Sequence, residues 1–196
     1  MIAYRIKHMP VPDWEKIPSA VLEDTGWLPH CPISASAQLC HNGQDLFVRM
    51  EAVEPDIRAT LANPLDQVCE DSCLEFFFAP LAGDIRYFNF ELNPLGNIYI
   101  GFGGPRDTRV RQLPINMAQF EISPFRTGTG WGVTYRIPGS FIRTYMPEFV
   151  FTGEAACNFY KCGDLTPAPH YYSWSPMTCT HPDYHRRQDF GKLIFD

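Results

Sequence analysis

Apolar and polar residues alternate with a period of two in many short stretches of this chain, whereas the 3.6-residue period of an amphipathic helix is weak throughout. The clearest alternation begins with the apolar residues Ile33, Ala35, Ala37 and Leu39. An Asn42-Gly43 step follows, which is a common hairpin turn, and the alternation resumes at Leu46, Val48 and Met50. This pattern predicts two antiparallel strands joined by a tight turn.

Further stretches have the length and composition of strands. They are Cys69–Phe78, Arg86–Asn93, Ile98–Phe102, Gln119–Ser123, Gly132–Ile137, Cys157–Lys161, His170–Trp174 and Lys192–Phe195. Helical turns are predicted at Asp13–Lys16, with Asp13 as N-cap, and at Pro138–Arg143, while Gly103–Met117 has the composition of a long loop. Short strands at this spacing predict an all-β fold: an antiparallel β-sandwich of the jelly-roll or immunoglobulin-like two-sheet type, with short helical turns.

Length and composition place these strands in one globular unit. The 196 residues suffice for a single domain, predicted to span 1–196, and 45% hydrophobic residues exclude a disordered chain. The net charge of −6 and the lack of a basic run argue against a nucleic-acid partner. No apolar stretch approaches the roughly 20 residues of a membrane-spanning helix, so we expect no membrane partner.

The cysteines and the first residues bear on location. Seven cysteines leave at least one unpaired, and the opening Met1–His8 lacks the apolar segment of a signal peptide. We therefore expect a cytoplasmic protein with reduced thiols, or a secreted one if a signal has been removed.

Candidate chemistry lies on two successive strands. In the first, Glu75 falls on the face opposite the apolar residues Leu74, Phe76 and Phe78. In the second, Asn89 and Glu91 fall opposite Phe88, Phe90 and Leu92. The short link between the strands predicts a hairpin, so these polar residues would share one surface. Later in the chain, amides and rings are added by Asn158, Tyr172 and Trp174. Polar groups beside a flat ring suit sugar recognition, because the ring stacks on the C–H face of a pyranose.

Several of these segments resemble carbohydrate-binding module family 9-like domains. The resemblance rests on the order and spacing of Glu70–Phe77, Tyr87–Asn93, Asn158–Cys162, His170–Pro176 and Asp189–Leu193, and it runs from about residue 33 to the C-terminus. It implies a β-sandwich related to the DOMON group and a binding module usually found beside glycoside hydrolases. Better-known members hold a terminal sugar between two tryptophan rings. By resemblance, Trp174 would be one ring, Glu75 the strand glutamate and Asn158 the late asparagine.

The sequence departs from this family pattern at one position. Six residues before Glu75, where those members carry the other tryptophan, stands Cys69. Trp27, Trp131 or a loop tyrosine could supply the missing ring. Some members also bind structural calcium, but no dense Asp/Asn loop marks such a site here, so we predict no cofactor and no metal.

Other readings of the same residues stay open. Glu75 and Glu91 could act as the paired carboxylates of a glycoside hydrolase. The same sheet face could instead contact another protein. Two weaker candidates remain. One is a metal site at Cys179, His181 and His185, with His170 upstream, which Pro182 disfavours; the other is a DOMON-type haem site using Met50, Met177 or His170.

We predict a non-catalytic carbohydrate-binding protein, accessory to polysaccharide breakdown by a separate glycoside hydrolase. Its ligand would be a mono- or oligosaccharide, bound at an exposed sheet face or a strand-end cleft. The predicted binding residues are Glu75, Asn89, Glu91, Asn158, Tyr172 and Trp174, with the polar groups converging around the indole of Trp174.

Overall fold

The computed structural model describes residues 2–64, 66–112 and 116–196. Within these ranges the chain forms thirteen strands and one α-helix, α1 (Gly139–Tyr145), together with short 3-10 turns. The predicted all-β class is therefore confirmed. No helix among the described residues has the length and apolar character needed to cross a membrane.

The strands are named in chain order. They are β1 (Ala3–His8), β2 (Ala20–Val21), β3 (Ser34–His41), β4 (Asp45–Val53), β5 (Cys73–Ala79), β6 (Tyr87–Leu92), β7 (Ile98–Gly103), β8 (Val110–Gln112), β9 (Ser123–Arg126), β10 (Gly130–Pro138), β11 (Gly153–Cys162), β12 (Tyr171–Ser173) and β13 (Gly191–Phe195).

One curled sheet contains all of these strands, and β1 joins its two halves. The spatial order is β8-β7-β6-β5-β11-β13-β1-β3-β4-β10-β9, with β12 added beside β11 and β2 beside β3. The first part of β1 pairs in parallel with β13, through Ala3 to Ile6, whereas Lys7 and His8 pair in parallel with the end of β3. The remaining pairings along this path are antiparallel.

The structure departs from the predicted elements at several places. The segments of β1 and β2 were not predicted as strands, and β8 lies inside the predicted loop Gly103–Met117, of which 113–115 fall outside the described residues. Of the predicted strand Gln119–Ser123, Gln119 and Phe120 belong to a 3-10 turn (Met117–Phe120), and only Ser123 lies in a strand, β9. Asp13 does not cap its turn, because its carboxylate binds Lys16 Nζ at 2.6 Å instead.

Apolar side chains from both halves of the sheet meet in one core. Val48 and Met50 of β4 and Val133 of β10 belong to the same buried cluster as the inward-facing phenylalanines of β5, β6 and β11, which are Phe76, Phe78, Phe88, Phe90 and Phe159. The ring of Phe76 is stacked 5.2 Å from Phe159 and 6.3 Å from Phe90, which are its neighbours across the two adjacent strands. Such cross-strand aromatic pairs add to the stabilisation from area burial alone.

The half of the sheet that contains β5 and β6 is buried on both faces. In β3 and β4, buried residues mostly alternate with more exposed ones, as expected for a sheet with one face toward solvent. In β5 and β6, every residue is buried. The outer face of these strands packs against Trp27, Met177, Tyr184 and Phe190, which lie in loops. The predicted exposed sheet face is therefore wrong, because loops cover it.

A buried ion pair connects the end of β4 to β11. The Glu54 carboxylate accepts hydrogen bonds from Trp131 Nε1 at 2.7 Å, Ser72 Oγ at 2.8 Å and Lys161 Nζ at 3.1 Å. Lys161 also donates to His170 Nε2 at 2.6 Å. Burial and the nearby Lys161 ammonium lower the pKa of His170 to about 4, so this imidazole is neutral and accepts the bond.

We expect Glu54→Ala to lower the free energy of unfolding by about 3–5 kcal/mol, because it leaves the buried Lys161 ammonium without its carboxylate. Urea unfolding of the purified variant measures this loss. The control is Glu51→Ala in β4, which breaks a partly exposed pair with Arg49 and should cost no more than about 1 kcal/mol. Equal losses in the two variants would contradict the importance of the buried pair.

Candidate functional site

The outer face of β5, β6 and β11 forms the floor of a pocket with a volume of about 250 Å³. Glu75, Phe77, Glu91 and Cys162 project into it from these strands or their ends. Segments between the strands complete its walls with Trp27, Cys69, Arg106, Asp164, Pro182, Asp183, Tyr184 and His185, and β12 adds Tyr171. The loops that bury this half of the sheet thus leave a recess over its polar residues.

Two carboxyl groups lie side by side on the pocket floor. Glu75 of β5 and Glu91 of β6 are directly opposite each other in the antiparallel register, and their exposed fractions are 3% and 8%. Residues at such positions have Cβ atoms ~5 Å apart. Glu75 Oε1 accepts a hydrogen bond from the Cys162 thiol at 2.9 Å, and Glu91 Oε1 accepts one from Asn89 Nδ2 at 2.6 Å.

Burial raises the pKa of both carboxyls. For Glu75 the pKa lies well above its ordinary range, first because of burial and then because of the charge on Glu91. For Glu91 burial raises the pKa to about 7, although the hydrogen bond from Asn89 and the Arg109 guanidinium oppose this rise. Two like charges so close in a buried site disfavour joint ionisation, so the pair keeps a proton near neutral pH.

Asn89 is held in place by Arg109 and by a glycine. The Arg109 guanidinium donates to Asn89 Oδ1 and to the Tyr87 carbonyl oxygen, and it lies 3.8 Å above the centre of the Tyr87 ring. Opposite Asn89 on β7 is Gly101, where any side chain would collide with the Asn89 amide. The Asn89 amide therefore supports Glu91 rather than lining the pocket itself.

Aromatic rings form one wall of the pocket. The Trp27 ring lies 5.7 Å from Tyr171 and 5.5 Å from Tyr184, and Tyr184 is stacked on Tyr160 at 3.9 Å. Trp27 Nε1 donates to the carbonyl oxygen of Cys179 at 2.8 Å, which joins the two covering loops. Trp27 and Tyr171 are both only half-buried, so part of each ring faces the pocket.

Charged and polar groups also line the pocket. Arg106 donates to Asp183 at 2.8 Å, and His185 Nδ1 lies 2.9 Å from the hydroxyl of Tyr87. Burial lowers the pKa of His185 to about 3, with the guanidinium of Arg109 as the next cause, so its imidazole is neutral. Burial also raises the pKa of the Asp164 carboxyl. The pocket therefore offers hydrogen-bond donors and acceptors above a floor that carries little charge.

Comparison with known proteins identifies the family. The sequence model described as carbohydrate-binding family 9 matches residues 11–195. The chain belongs to this family. A search of curated proteins found no match. The resemblance noted in the sequence is thereby confirmed, and so is the predicted carbohydrate-binding function.

Solved structures similar to this family 9 chain include a protein from Bacteroides uniformis ATCC 8492, provisionally described as carbohydrate-binding. It is 26% identical, with a TM-score of 0.85 and coverage of 99% of both chains. A family 9 module from Caldicellulosiruptor kristjanssonii in complex with glucose is 11% identical, with a TM-score of 0.69 over 100% of this chain and 96% of that one. The cellotriose complex of a family 9 module from the same organism is also 11% identical, with a TM-score of 0.65 over 98% and 93%. At 11% identity the likeness concerns the fold.

Trp174 does not meet Glu75 in this family 9 structure, so the predicted convergence of the polar residues around its indole is wrong. Trp174 lies opposite Phe159, to whose carbonyl oxygen it donates a backbone hydrogen bond of 3.0 Å. Its ring packs on Phe159 and Tyr4 in the main core and is 6% exposed. Glu75 lies on the other face of the sheet.

Tyr172, like Trp174, lies in the main core, on the face of the sheet opposite Glu75. It is paired with Lys161, on the inner face, and its hydroxyl donates to the Cys31 carbonyl oxygen at 2.8 Å. Tyr171 is paired with Cys162 and reaches the pocket instead. A shift by one residue along a strand moves every side chain to the other face of the sheet. The sequence did not determine which residues of β12 face the core and which face outward.

Asn158 lies on the outer face, as predicted, but its amide binds the protein. Its Nδ2 donates to the Ser175 carbonyl oxygen at 2.9 Å, and its Oδ1 accepts from the backbone N–H of Ser175 at 2.8 Å and of Phe159 at 2.9 Å. The side chain is fully buried. Asn158 therefore anchors the loop that covers the pocket.

The sequence named three possible substitutes for the ring that is missing at Cys69, and two of them, Trp27 and the loop tyrosine Tyr184, line the pocket. Cys69 lies in a 3-10 turn instead of on the predicted strand, and it lines the pocket. Trp131 is fully buried and bound to Glu54, whereas Trp27 lines the pocket. The alternation pattern could not assign Trp27, because the segment around it has no regular secondary structure.

The Glu91 carboxyl should make stability depend on pH. Since the pKa of Glu91 is about 7 in the folded state and about 4.3 for glutamate in an unfolded chain, the folded protein binds this proton more tightly. This contribution to stability is complete below the unfolded pKa and is lost as the pH rises through 7. In the wild type, this carboxyl should lower the free energy of unfolding by on the order of 3 kcal/mol as the pH rises from about 4.3 to about 7. We expect this decrease to be absent in Glu91→Gln.

Urea unfolding at a series of pH values from 4 to 8 measures the effect. Glu51→Gln, which changes a more exposed glutamate of β4, is the control and should keep the slope of the wild type. An unchanged slope in Glu91→Gln would contradict the raised pKa of this carboxyl.

Proposed function

We propose that this family 9 chain binds a single sugar residue, free or at the end of a chain, in the pocket above Glu75 and Glu91. The observation that carries this proposal is the placement of half-buried rings, Trp27 and Tyr171, in one recess with two buried carboxyls. The volume of about 250 Å³ lies below the range of ~300–1,000 Å³ for drug-sized ligands, which favours one ring over an extended chain.

The chemistry of the pocket suits a neutral ligand rich in hydroxyl groups. A carboxyl that keeps its proton near neutral pH can both donate and accept a hydrogen bond, as a sugar hydroxyl can. Arg106, Asp164 and Asp183 add donors and acceptors to the lining. The exposed part of the Trp27 indole can stack on the C–H face of the sugar. The complex of a related family 9 module with glucose supports this choice of ligand class.

We also propose that the chain performs no glycoside hydrolysis. A glycosidase uses carboxyl groups that flank the scissile bond. Glu75 and Glu91 project from adjacent strands at opposed positions, so both approach a bound sugar from the same side. Both also take part in internal hydrogen bonds, to Cys162 and Asn89. A separate glycoside hydrolase would then be the functional partner.

Fold architecture, domain organisation and location complete the proposal. We infer that the two halves of the curled sheet act as the layers of a β-sandwich, since one core cluster contains residues of both. A single domain over residues 1–196 and a cytoplasmic location stay predictions. Sugar recognition by rings and hydrogen bonds requires neither calcium nor another cofactor.

Trp27→Ala should lower the affinity for glucose by about tenfold, as expected for the loss of a ring contact of ~1.5 kcal/mol. Isothermal titration calorimetry with glucose and cellotriose measures it. Trp174→Ala is the matched control. It should leave the affinity of the folded protein unchanged but destabilise the fold by about 3–5 kcal/mol, because Trp174 is buried in the core.

The reverse result would contradict the proposed site. If Trp174→Ala abolishes binding in a protein that remains folded, and Trp27→Ala binds as the wild type does, the sugar lies elsewhere. Absence of any heat with either sugar at millimolar concentration would contradict the choice of ligand.

Incubation with cello-oligosaccharides should release no reducing sugar, at any pH from 4 to 8, because the two carboxyls do not flank a bond. A colorimetric reducing-end assay measures this. Release that disappears in Glu75→Gln, with the fold retained by circular dichroism, would show that the chain is a hydrolase.

A further inference from the structure

Three side chains that can ligate a metal meet at the base of the pocket. Cys73 of β5 and Cys162 of β11 are directly opposite each other in the antiparallel register. Glu75, two residues after Cys73, projects from the same face of β5. A ligand atom from each of these residues lies within 4.8 Å of the other two, and all three residues are buried.

We propose that Cys73, Glu75 and Cys162 bind a thiophilic divalent cation of the zinc type. Zinc takes thiolate sulfur at ~2.3 Å and carboxylate oxygen at ~2.0–2.2 Å in tetrahedral geometry, which separates neighbouring ligand atoms by roughly 3.3–3.8 Å. In this structure the three ligand atoms lie within 4.8 Å of one another, and Cys162 Sγ is 2.9 Å from Glu75 Oε1. The separations expected around zinc fall between these two distances. Small rotations of the side chains would therefore suffice to surround an ion.

The choice of metal follows from the ligand atoms. Two sulfur ligands favour zinc and similar soft ions, whereas calcium and magnesium take oxygen ligands only. Three protein ligands leave one tetrahedral position for water, as in zinc sites that remain open to small molecules. Glu75 and Cys162 line the pocket, and Cys73 lies behind them, so the open position would face the pocket.

The ligands hold protons that a cation would replace. Burial raises the pKa of Cys73 to about 12 and raises the pKa of Glu75 well above its ordinary range. Binding therefore releases up to three protons, one from each ligand, and tightens as the pH rises.

The site differs from the metal set suggested by the sequence. Within the described ranges, Cys179, His181 and His185 do not bring their ligand atoms together as Cys73, Glu75 and Cys162 do. The Cys179 thiol donates to the His181 carbonyl oxygen at 3.3 Å, and the His185 ring interacts with Tyr87. The proposal also does not depend on sugar binding. With a cation bound, Glu75 would be deprotonated and would accept hydrogen bonds from a sugar without donating any.

The test is a titration of the reduced, full-length protein with Co²⁺ and then Zn²⁺, followed by absorbance and calorimetry. We expect one ion per chain, a thiolate-to-cobalt charge-transfer band in the near ultraviolet, and loss of that band when Zn²⁺ displaces Co²⁺. Cys73→Ala and Cys162→Ala should each weaken Zn²⁺ binding by at least about 100-fold, because even residues that only support a metal ligand change affinity ~10–100-fold.

Cys157→Ala is the matched control. Cys157 is a buried thiol on the same strand as Cys162 but on the opposite face, so its removal should leave the affinity unchanged. Loss of binding in Cys179→Ser, with binding retained in Cys162→Ala, would move the site and overturn the proposal. So would the absence of a charge-transfer band in the wild type.

A second measurement avoids variants that fold poorly. Zn²⁺ should slow the alkylation of Cys73 and Cys162 in the wild type, mapped by mass spectrometry, and leave Cys31 and Cys179 unaffected. Equal rates with and without Zn²⁺ would overturn the proposal. Repeating the glucose titration in a chelator separates the two sites, because loss of Zn²⁺ binding with glucose binding retained leaves the proposed function intact.

Discussion

The register among β6, β5 and β11 determines what the rest of the structure can do. It places Glu75 opposite Glu91 on one side and opposite Tyr160 on the other, and it places Cys73 opposite Cys162. All of these side chains lie on the outer face, where an ordinary sheet would meet water. Loops cover that face instead, so two acidic groups are held together in a buried setting. The raised pKa values, the pocket and the thiol cluster all follow from this arrangement.

Covering both faces of β5 and β6 requires contacts between distant parts of the chain. Trp27 binds the carbonyl of Cys179, 152 residues away, and Asn158 binds the backbone of Ser175. These bonds fix the loops whose rings form the pocket wall. The polar floor therefore depends on the loops for its burial, and the aromatic wall depends on the strands for its support.

The sequence predicted the strands best where one face is apolar and the other polar. The alternation around Asn42-Gly43 gave β3 and β4, and that in the next segments placed Glu75, Asn89 and Glu91 on one face. It could not predict the position of Trp27, which depends on a contact between loops. The prediction also assigned the wrong face of β12 to the pocket, since both faces of that short strand carry rings or hydroxyl groups. Tyr171 could have been recognised through its pairing with Cys162, but that register is a property of the fold.

The central claim is that sugar binds beside Trp27 and not beside Trp174. The chain has four tryptophans, so a two-dimensional nitrogen–proton spectrum resolves four indole signals, which single substitutions to phenylalanine assign. Addition of glucose should shift the Trp27 signal and leave those of Trp131 and Trp174 in place. A shift of the Trp174 signal with none at Trp27 would contradict the account.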